Sequence, residues 1–344
     1  MSLAPILHGD DAESIGRSVE VLRGGGLVGM PTETVYGLAA HALDEDAVAR
    51  VFEAKARPSF DPLIVHLADR VQAGDYAELN PVAERLVASY WPGPMTLVLP
   101  RRHGADDTPV VPDLVTAGLD SVALRVPAHP VAQALLSQSR LPLAAPSANR
   151  FGSISPTAAQ HVADELGDRI DLILDGGPCE RGVESTVLRP TERGVEVLRL
   201  GALPVEAIES VAGVGVSVLA PSSSPGIDED AQDTSARVSP GLTKRHYAPG
   251  TPMHLVQALD DVAALGVSGR IGLIGVGRLA DEDERFVVVR SLSLTGDLAE
   301  AASRLFATLR ELDGMGLDGL VALAVPEAGL GRAINDRLKR GSAR

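Results

Sequence analysis

The sequence has little cysteine and few aromatic residues, and each shortage narrows what the protein can be. A single cysteine, Cys179, excludes an internal disulfide and any multi-cysteine zinc or iron–sulfur site, and it is typical of a reducing compartment. Aromatic residues make up only 3% of a chain that is 45% hydrophobic. The core must therefore consist of aliphatic side chains, as in many α/β proteins.

Long apolar runs are also missing. No run approaches the roughly 20 apolar residues that span a bilayer. Asp10, Asp11 and Glu13 lie where a signal peptide would be basic and then apolar. We therefore expect a protein that is not exported and lies in the cytoplasm, with no membrane partner.

Positive charge is scarce as well. The chain has 31 Lys and Arg residues and 46 Asp and Glu residues, which gives a formal net charge of -15. Residues 1–210 carry 17 basic and 29 acidic residues. Neither half of the chain can act as a general nucleic-acid surface, so any RNA contact must be local.

The length of 344 residues predicts about two domains. Ala220–Gly226 reads APSSSPG and is followed by the acidic stretch Asp228–Asp233, a composition typical of a linker. The predicted division is a domain over 1–211, a linker over 212–252 and a smaller domain over 253–344.

Alternating helix and strand patterns predict an α/β fold in both domains. The main predicted helices are Glu13–Arg23, Asp46–Ala54, Val82–Tyr90, Pro130–Leu136, Ala158–Leu166 and Leu298–Leu312. The main predicted strands are Leu27–Met30, Leu63–Leu67, Met95–Leu99, Val122–Val126, Leu172–Leu174, Thr186–Leu188, Met253–Val256, Ile271–Gly275, Phe286–Val289 and Leu320–Val325.

Two cations follow the second predicted helix. Lys55 and Arg57 precede Pro58, which disfavours helical geometry in the residue before it, so both are predicted on a loop. A lysine point charge beside an arginine fork suits a polyphosphate. The alternative is a solvated surface pair, which spacing alone favours.

Polar segments follow several predicted strands. Pro31–Gly37 brings hydroxyls, a carboxylate and a phenol to a strand exit, where α/β proteins commonly bind ligands, although a capping turn fits equally well. His66 ends an apolar run and is more typical of a core histidine. Pro146–Asn149 and Val183–Thr186 are typical of turns.

Known nucleotide and hydrolase motifs are absent. There is no G-x-x-x-x-G-K-[ST], H-E-x-x-H or G-x-S-x-G segment, and Gly24–Gly26 precede a strand where a dinucleotide fingerprint would follow one. The residues alone therefore predict a two-domain α/β protein with an anion-binding crevice in its first part.

Taken together, the ordered segments resemble the YrdC family of threonylcarbamoyl-AMP synthases over residues 12–210. The segments are Pro31–Gly37, Lys55–Pro58, Pro62–His66, Trp91–Thr96, Arg125–Pro127, Ser147–Asn149 and Glu184–Thr186. Ser239–Pro249 and Gly331–Leu338 are similar to the linker and C-terminal end of the long, two-domain form. Ala39 stands where the family usually has Gly, and Leu242-Thr243 replace the usual Met and basic residue.

The resemblance implies a fold and a reaction. It implies a YrdC-type twisted sheet with helices and a concave crevice, plus a smaller Rossmann-like C-terminal domain that regulates closure. The implied enzyme is a nucleotidyltransferase that converts L-threonine, bicarbonate and ATP, with Mg2+, into L-threonylcarbamoyl-adenylate and pyrophosphate. The adenylate would serve N6-threonylcarbamoyladenosine formation in tRNA, with transient contact to the transferase or to tRNA.

The resemblance also implies residue roles. Lys55 and Arg57 would neutralise the triphosphate as catalytic residues, and Arg125 would bind the threonine carboxylate. The implied L-threonine contacts are Thr34, His66, Arg125, Ser147 and Ser185; the implied ATP contacts are Arg57, Asp61, Ser121, Asn149, Thr157, Arg199, His246 and Tyr247. Tyr247 and His246, from the linker, would cover the site and exclude water.

Two other functions remain compatible with parts of the pattern. An RNA-binding YrdC-like module without synthase activity is one, and the excess of acidic residues over 1–210 counts against it. A carbamoyl transferase with a similar domain is the other, but such proteins carry zinc fingers that a single cysteine excludes.

Overall fold

Short apolar runs form strands and amphipathic runs form helices, as the α/β prediction requires. A computed structural model describes residues 3–219, 246–279 and 283–343. Its strands are β1 (Ile6–His8), β2 (Val28–Met30), β3 (Gly37–His41), β4 (Ile64–His66), β5 (Met95–Pro100), β6 (Ser121–Arg125), β7 (Leu143–Ala144), β8 (Leu172–Asp175), β9 (Thr186–Pro190), β10 (Val195–Arg199), β11 (Val216–Val218), β12 (Met253–Val256), β13 (Ile271–Gly275), β14 (Val288–Ser291) and β15 (Gly319–Leu323).

The α-helices begin at residues suited to capping. Asp11, Asp44 and Asp297 each accept hydrogen bonds from the first-turn amides of the helix that follows. The helices are α1 (Ala12–Arg23), α2 (Glu45–Lys55), α3 (Ala73–Tyr76), α4 (Pro81–Tyr90), α5 (Asp113–Thr116), α6 (Pro130–Ser139), α7 (Ala159–Leu166), α8 (Val205–Ala212), α9 (Leu298–Asp313) and α10 (Gly331–Gly341), and Leu259–Leu265 forms a 3-10 helix.

The first domain is built on a mixed, eleven-stranded sheet over the described residues. Its strand order is β1-β8-β2-β3-β7-β4-β6-β5-β9-β10-β11. β11 pairs in parallel with β10, so the sheet continues to Val218, past the predicted boundary at residue 211. The segments predicted as a linker, Ala220–Gly226 and Asp228–Asp233, lie outside the described residues.

Strand pairing brings the candidate residues to one edge of this sheet. His66 at the end of β4 is paired with Arg125 at the end of β6. Gly37 opens β3 beside the end of β2, and Thr186 opens β9 beside Met95 of β5. The loops that leave these strand ends therefore enclose a common crevice.

The second domain is a four-stranded parallel sheet in the order β12-β15-β13-β14. β12 and β13 coincide with their predictions, whereas the predicted strand Phe286–Val289 is displaced to Val288–Ser291. The register explains the displacement, because Gly272 to Gly275 pair with Val288 to Ser291. A large twisted sheet with a smaller parallel α/β domain confirms the predicted fold class.

The two domains share an apolar cluster, which we call the interdomain cluster. Val35, Ile154, Val183 and Ala202 of the first domain pack with residues that include Phe306 of α9. Gly182 allows a close approach of the two domains: a Cβ there, at a φ of +67°, would lie 2.4 Å from the Ser303 backbone. Among the described residues no helix is both long and apolar enough to cross a membrane.

Candidate active site

A small cavity of about 50 Å3 lies at the sheet edge where the polar loops meet. This volume holds only a few water molecules. Nine of the predicted site residues line it: Thr34, Arg57, His66, Arg125, Ser147, Ser185, Arg199, His246 and Tyr247. Thr32 and Glu184 line it too.

Hydroxyl groups and one imidazole line one side of the cavity. The Thr32 and Thr34 hydroxyls are 2.8 Å apart, as are those of Thr96 and Ser185. Burial, followed by the Arg125 guanidinium, lowers the pKa of His66 to about 3. His66 is therefore neutral near pH 7 and can exchange hydrogen bonds with a polar ligand without adding charge.

Arg125 is held by Glu33, the carboxylate of the predicted polar segment Pro31–Gly37, for which the resemblance implies no role. Its Nη2 donates to Glu33 Oε1 at 2.7 Å, and both side chains are buried. The Ala128 amide donates to the other Glu33 oxygen at 3.1 Å. Glu33 thus fixes the direction of the guanidinium at the cavity wall.

Arg57 is also paired, and it is not a surface residue. Its Nε and Nη2 donate to the carbonyl oxygens of Asp61 and Pro62 at 3.1 and 3.0 Å. Its Nη2 lies 2.9 Å from Asp61 Oδ2, and both side chains are almost fully buried. The surface-pair alternative is therefore wrong for Arg57.

Lys55 occupies a different position from the predicted loop. It is the last residue of α2 and only 1% exposed. Its ammonium donates to the carbonyl oxygens of Ser147 and Asn149, and it is absent from the cavity lining. Burial, and then the Arg57 guanidinium, lowers its pKa to about 7. Lys55 thus positions the Ser147–Asn149 loop in this structure.

The linker pair His246-Tyr247 closes the cavity. The two rings contact each other at 4.2 Å between centroids, and His246 also contacts Phe151. His246 Nδ1 and the Tyr247 hydroxyl are buried, and neither has a hydrogen-bond partner among the described residues. Both polar atoms are therefore available to a ligand in this crevice. The rest of the predicted linker motif, up to residue 245, lies outside the described residues.

Four predicted ATP contacts do not line this cavity: Asp61, Ser121, Asn149 and Thr157. Ser121 opens β6, four residues before Arg125. Thr157 accepts the Cys179 amide through its carbonyl oxygen at 2.9 Å. Cys179 is itself buried, and burial raises the pKa of its thiol.

Sequence reasoning also missed Glu184 and Arg337 as site residues. Glu184 accepts from the Ser155 hydroxyl at 2.5 Å and from Arg337 Nε at 2.7 Å. Burial would raise the pKa of Glu184, but the Arg337 and Arg199 guanidiniums hold it below its ordinary value. No local pattern signals this pair, since its members are 153 positions apart.

Comparison with known proteins now identifies the family. A family model named Sua5_yciO_yrdC, described as "Telomere recombination", matches residues 20–201. The chain belongs to this family. A second model, described as "Threonylcarbamoyl-AMP synthase, C-terminal domain", matches residues 203–343 of this Sua5/YciO/YrdC protein.

Relatives of the Sua5/YciO/YrdC protein extend over nearly all of it. It is 43% identical to the threonylcarbamoyl-AMP synthase of Pyrococcus abyssi over 93% of this chain and 92% of that protein. It is 39% identical to that of Bacillus subtilis over 95% and 92%. The crystal structure of P. abyssi Sua5 complexed with L-threonine superposes with a TM-score of 0.83 at 39% identity, covering 99% of this chain and 97% of that one.

Proposed function

We propose that this protein is an L-threonylcarbamoyladenylate synthase, a nucleotidyltransferase that uses L-threonine, bicarbonate and ATP. The observation that carries the proposal is the single crevice in which hydroxyls, a neutral imidazole and three guanidiniums converge. Membership of the family and the L-threonine complex of the P. abyssi relative support it.

The hydroxyl side of the cavity suits L-threonine. Thr34, Ser147 and Ser185 supply hydroxyl groups, and His66 is a neutral partner. Arg125 supplies a directed cation for the amino-acid carboxylate, with Glu33 setting its orientation. A small polar zwitterion thereby meets both a charge and hydrogen-bonding groups.

The arginine side suits the nucleotide. Arg57 and Arg199 bring positive charge to the cavity, and His246 and Tyr247 present unpartnered polar atoms. Small-molecule sites typically enclose roughly 300–1,000 Å3, well above the present volume. The linker pair therefore moves outward to admit ATP and returns over the bound nucleotide. Asp61, Asn149, Thr157 and Ser121 would be contacts of this larger ligand.

The proposed chemistry needs no covalent nucleophile. The amine of L-threonine combines with bicarbonate to form a carbamate, with loss of water. A carbamate oxygen then attacks the α-phosphorus of ATP, the bond to the β-phosphate oxygen breaks, and pyrophosphate leaves. Holding three anionic groups together and stabilising the charge on the phosphate are the main contributions of the protein.

Closure by the linker protects the product. A carbamoyl-adenylate is a mixed anhydride that water cleaves, so exclusion of water preserves it. The adenylate then serves a transferase that forms N6-threonylcarbamoyladenosine in tRNA.

Mg2+ fits this site only as a companion of the nucleotide. The described residues contain no group of three or more His, Cys, Asp or Glu side chains placed to hold a metal. Mg2+ usually uses one or two carboxylates together with substrate phosphates, and Asp61 Oδ1 is a buried carboxylate oxygen without a hydrogen bond. Asp61 would be its protein contact, and bound Mg2+ would neutralise phosphate charge.

The deciding experiment is a product assay on the purified full chain. Labelled L-threonine, bicarbonate and ATP should yield threonylcarbamoyl-adenylate, identified by mass, together with equimolar pyrophosphate. Omission of bicarbonate is the control and should abolish both products. Release of AMP or ADP without an adduct of threonine would refute the proposed function.

A further inference from the structure

Arg337 connects the C-terminal domain to the wall of the cavity. It lies on α10 and its side chain is fully buried. Its Nε donates to Glu184 Oε2 at 2.7 Å, and its Nη2 donates to the carbonyl oxygen of Leu200 at 2.8 Å. A guanidinium of one domain is thus fixed by two acceptors of the other.

The same guanidinium packs on the ring of Tyr247. Arg337 Cζ is 4.7 Å from the ring centroid, within the range of a cation–π contact. Phe306 of α9 stacks on Tyr247 as well, with centroids 5.6 Å apart. These two ring contacts come from the C-terminal domain, and they add to the contact with the neighbouring His246 ring.

Tyr247 needs such support because of its backbone. Its φ is +62°, in the left-handed region that a bulky residue rarely adopts. Such a conformation persists only where the surroundings hold it. In this conformation the Tyr247 side chain lines the cavity, with its hydroxyl unpartnered among the described residues.

Arg337 also balances the charge of Glu184. This buried carboxylate lines a cavity that, by the proposed function, receives a triphosphate and a carbamate. Without its guanidinium, Glu184 would repel these anions and remain buried without its ion-pair partner.

We propose that Arg337 is a positioning residue of the synthase: it holds Tyr247 over the cavity and neutralises Glu184. This proposal rests on the proposed function. Arg337 does not line the cavity itself. The C-terminal domain thereby contributes to catalysis through the geometry of the linker tyrosine.

Arg337→Lys tests the proposal because it keeps the positive charge beside Glu184 and loses the planar contact with Tyr247. In the full chain we expect kcat/KM for ATP to fall roughly tenfold. In a Tyr247→Ala background the same substitution should change kcat/KM by less than about twofold. Equal effects in both backgrounds, or wild-type activity of Arg337→Lys, would overturn the proposal.

The matched control is Arg332→Lys. Arg332 is on the same helix and also forms an interdomain ion pair, with Glu206 at 3.1 Å. It does not line the cavity, so its activity should remain at the wild-type level. Should Arg337→Lys fail to fold, Arg337→Gln/Glu184→Gln removes both charges together, and the same cycle with Tyr247→Ala applies.

Hydrogen exchange gives a readout that does not depend on the reaction. The backbone amides of His246, Tyr247, Ala248 and Gly250 should exchange faster in Arg337→Lys than in wild type, and at the wild-type rate in Arg332→Lys. Unchanged exchange in Arg337→Lys would overturn the positioning role even if the synthase activity is established. A wild-type chain that makes no adenylate refutes the proposed function alone.

Discussion

At the scale of single residues, the site is organised by arginines that are paired with buried carboxylates. Arg57 pairs with Asp61 and Arg125 with Glu33, in both cases within 3 Å. Pairing fixes the direction of each guanidinium and limits the net positive charge of the crevice. Because both ion pairs are buried, each arginine also contributes to the stability of the fold, unlike an arginine on a surface loop.

The first prediction concerns Arg57. An arginine on a surface loop could be replaced without effect on folding. Arg57→Ala, in contrast, leaves the buried Asp61 carboxylate without its ion-pair partner. We expect the free energy of unfolding to fall by about 3–5 kcal/mol and ATP use to fall roughly 10–150-fold. Denaturant titration and pyrophosphate release at varied ATP concentrations measure the two effects.

The control for Arg57→Ala is the double variant Arg57→Gln/Asp61→Asn, which removes both charges. It should recover most of the stability and remain deficient in ATP use. An equal stability loss in both variants would show that the unpaired carboxylate is not the cause. Wild-type ATP use in the folded double variant would remove Arg57 from the nucleotide site.

The second prediction concerns His66 and pH. Its pKa is about 3 in the folded protein against an ordinary value of 6.5. Between these values the unfolded chain binds the proton and the folded protein does not, so stability falls as pH falls from 6.5 towards 3. From pH 7 to pH 5, His66 accounts for a loss on the order of 1–2 kcal/mol.

His66→Asn should therefore lose less unfolding free energy than wild type between pH 7 and pH 5, measured by denaturant titration at each pH. The same replacement at the exposed His103 controls for the change of side chain. A pH dependence in His66→Asn as steep as that of wild type would contradict the assignment.

At the scale of secondary structure, the end of α2 places Lys55 and Arg57 on their separate partners. Ala56 adopts the left-handed conformation, with a φ of 50°, and turns the chain between them. Such helix ends usually carry glycine, because a Cβ is unfavourable there. The unfavourable backbone conformation is confined to Ala56, the residue that directs Lys55 and Arg57 to different partners.

The third prediction follows from this turn. Ala56→Gly should raise the free energy of unfolding by about 0.5–1 kcal/mol. Ala49→Gly, at an exposed interior position of α2, should lower it by about 1 kcal/mol. Thermal unfolding of the two variants measures the opposite signs, and a loss of stability in both would contradict the role of the left-handed turn.

At the scale of the whole molecule, the two domains fold against a common interface. In addition to the interdomain cluster, an ion pair links Arg310 of α9 to Glu165 of the first domain. Gly182 also lies close to the backbone of α9. The cavity of the candidate active site is covered by Tyr247, which packs against Phe306 and Arg337 at this interface. Separation of the domains should therefore open the site.

The fourth prediction compares substitutions at two glycines that both have a positive φ. Gly182→Ala forces a Cβ into the Ser303 backbone, whereas Gly177→Ala, at a φ of +81°, meets nothing within 4 Å. We expect Gly182→Ala to lose about 1–3 kcal/mol more stability than Gly177→Ala. It should also lose adenylate synthesis and bind an apolar dye. Equal behaviour of the two variants would show that the close contact of the domains is not needed.

The sequence predicts the strands and helices that have a clear pattern of apolar residues. It misses strands that exist only because they pair with neighbouring strands. β13 is a buried aliphatic run and β12 is a mostly apolar one, and their predicted bounds agree with the structure. β3 reads GLAAH and has no β-branched residue, so only its pairing with β2 and β7 defines it.

The same limit applies to the site. The resemblance of local motifs to a family predicts His66 and Arg125 as site residues, and both line the cavity. Arg337 lies in a helix rich in charged residues that reads as solvent-exposed, and its partner Glu184 belongs to the other domain. Contacts between distant segments cannot be inferred from local spacing.

The burial of Cys179 has a practical consequence for spectroscopy. Thiol reagents attack the thiolate, and burial with a raised pKa suppresses this form in the only cysteine of the chain. A cysteine introduced at Val71 in the first domain or Leu294 in the second, both strongly exposed, would react in preference to it. A fluorophore pair at these two positions would report the separation of the domains in solution while the native cysteine stays in place.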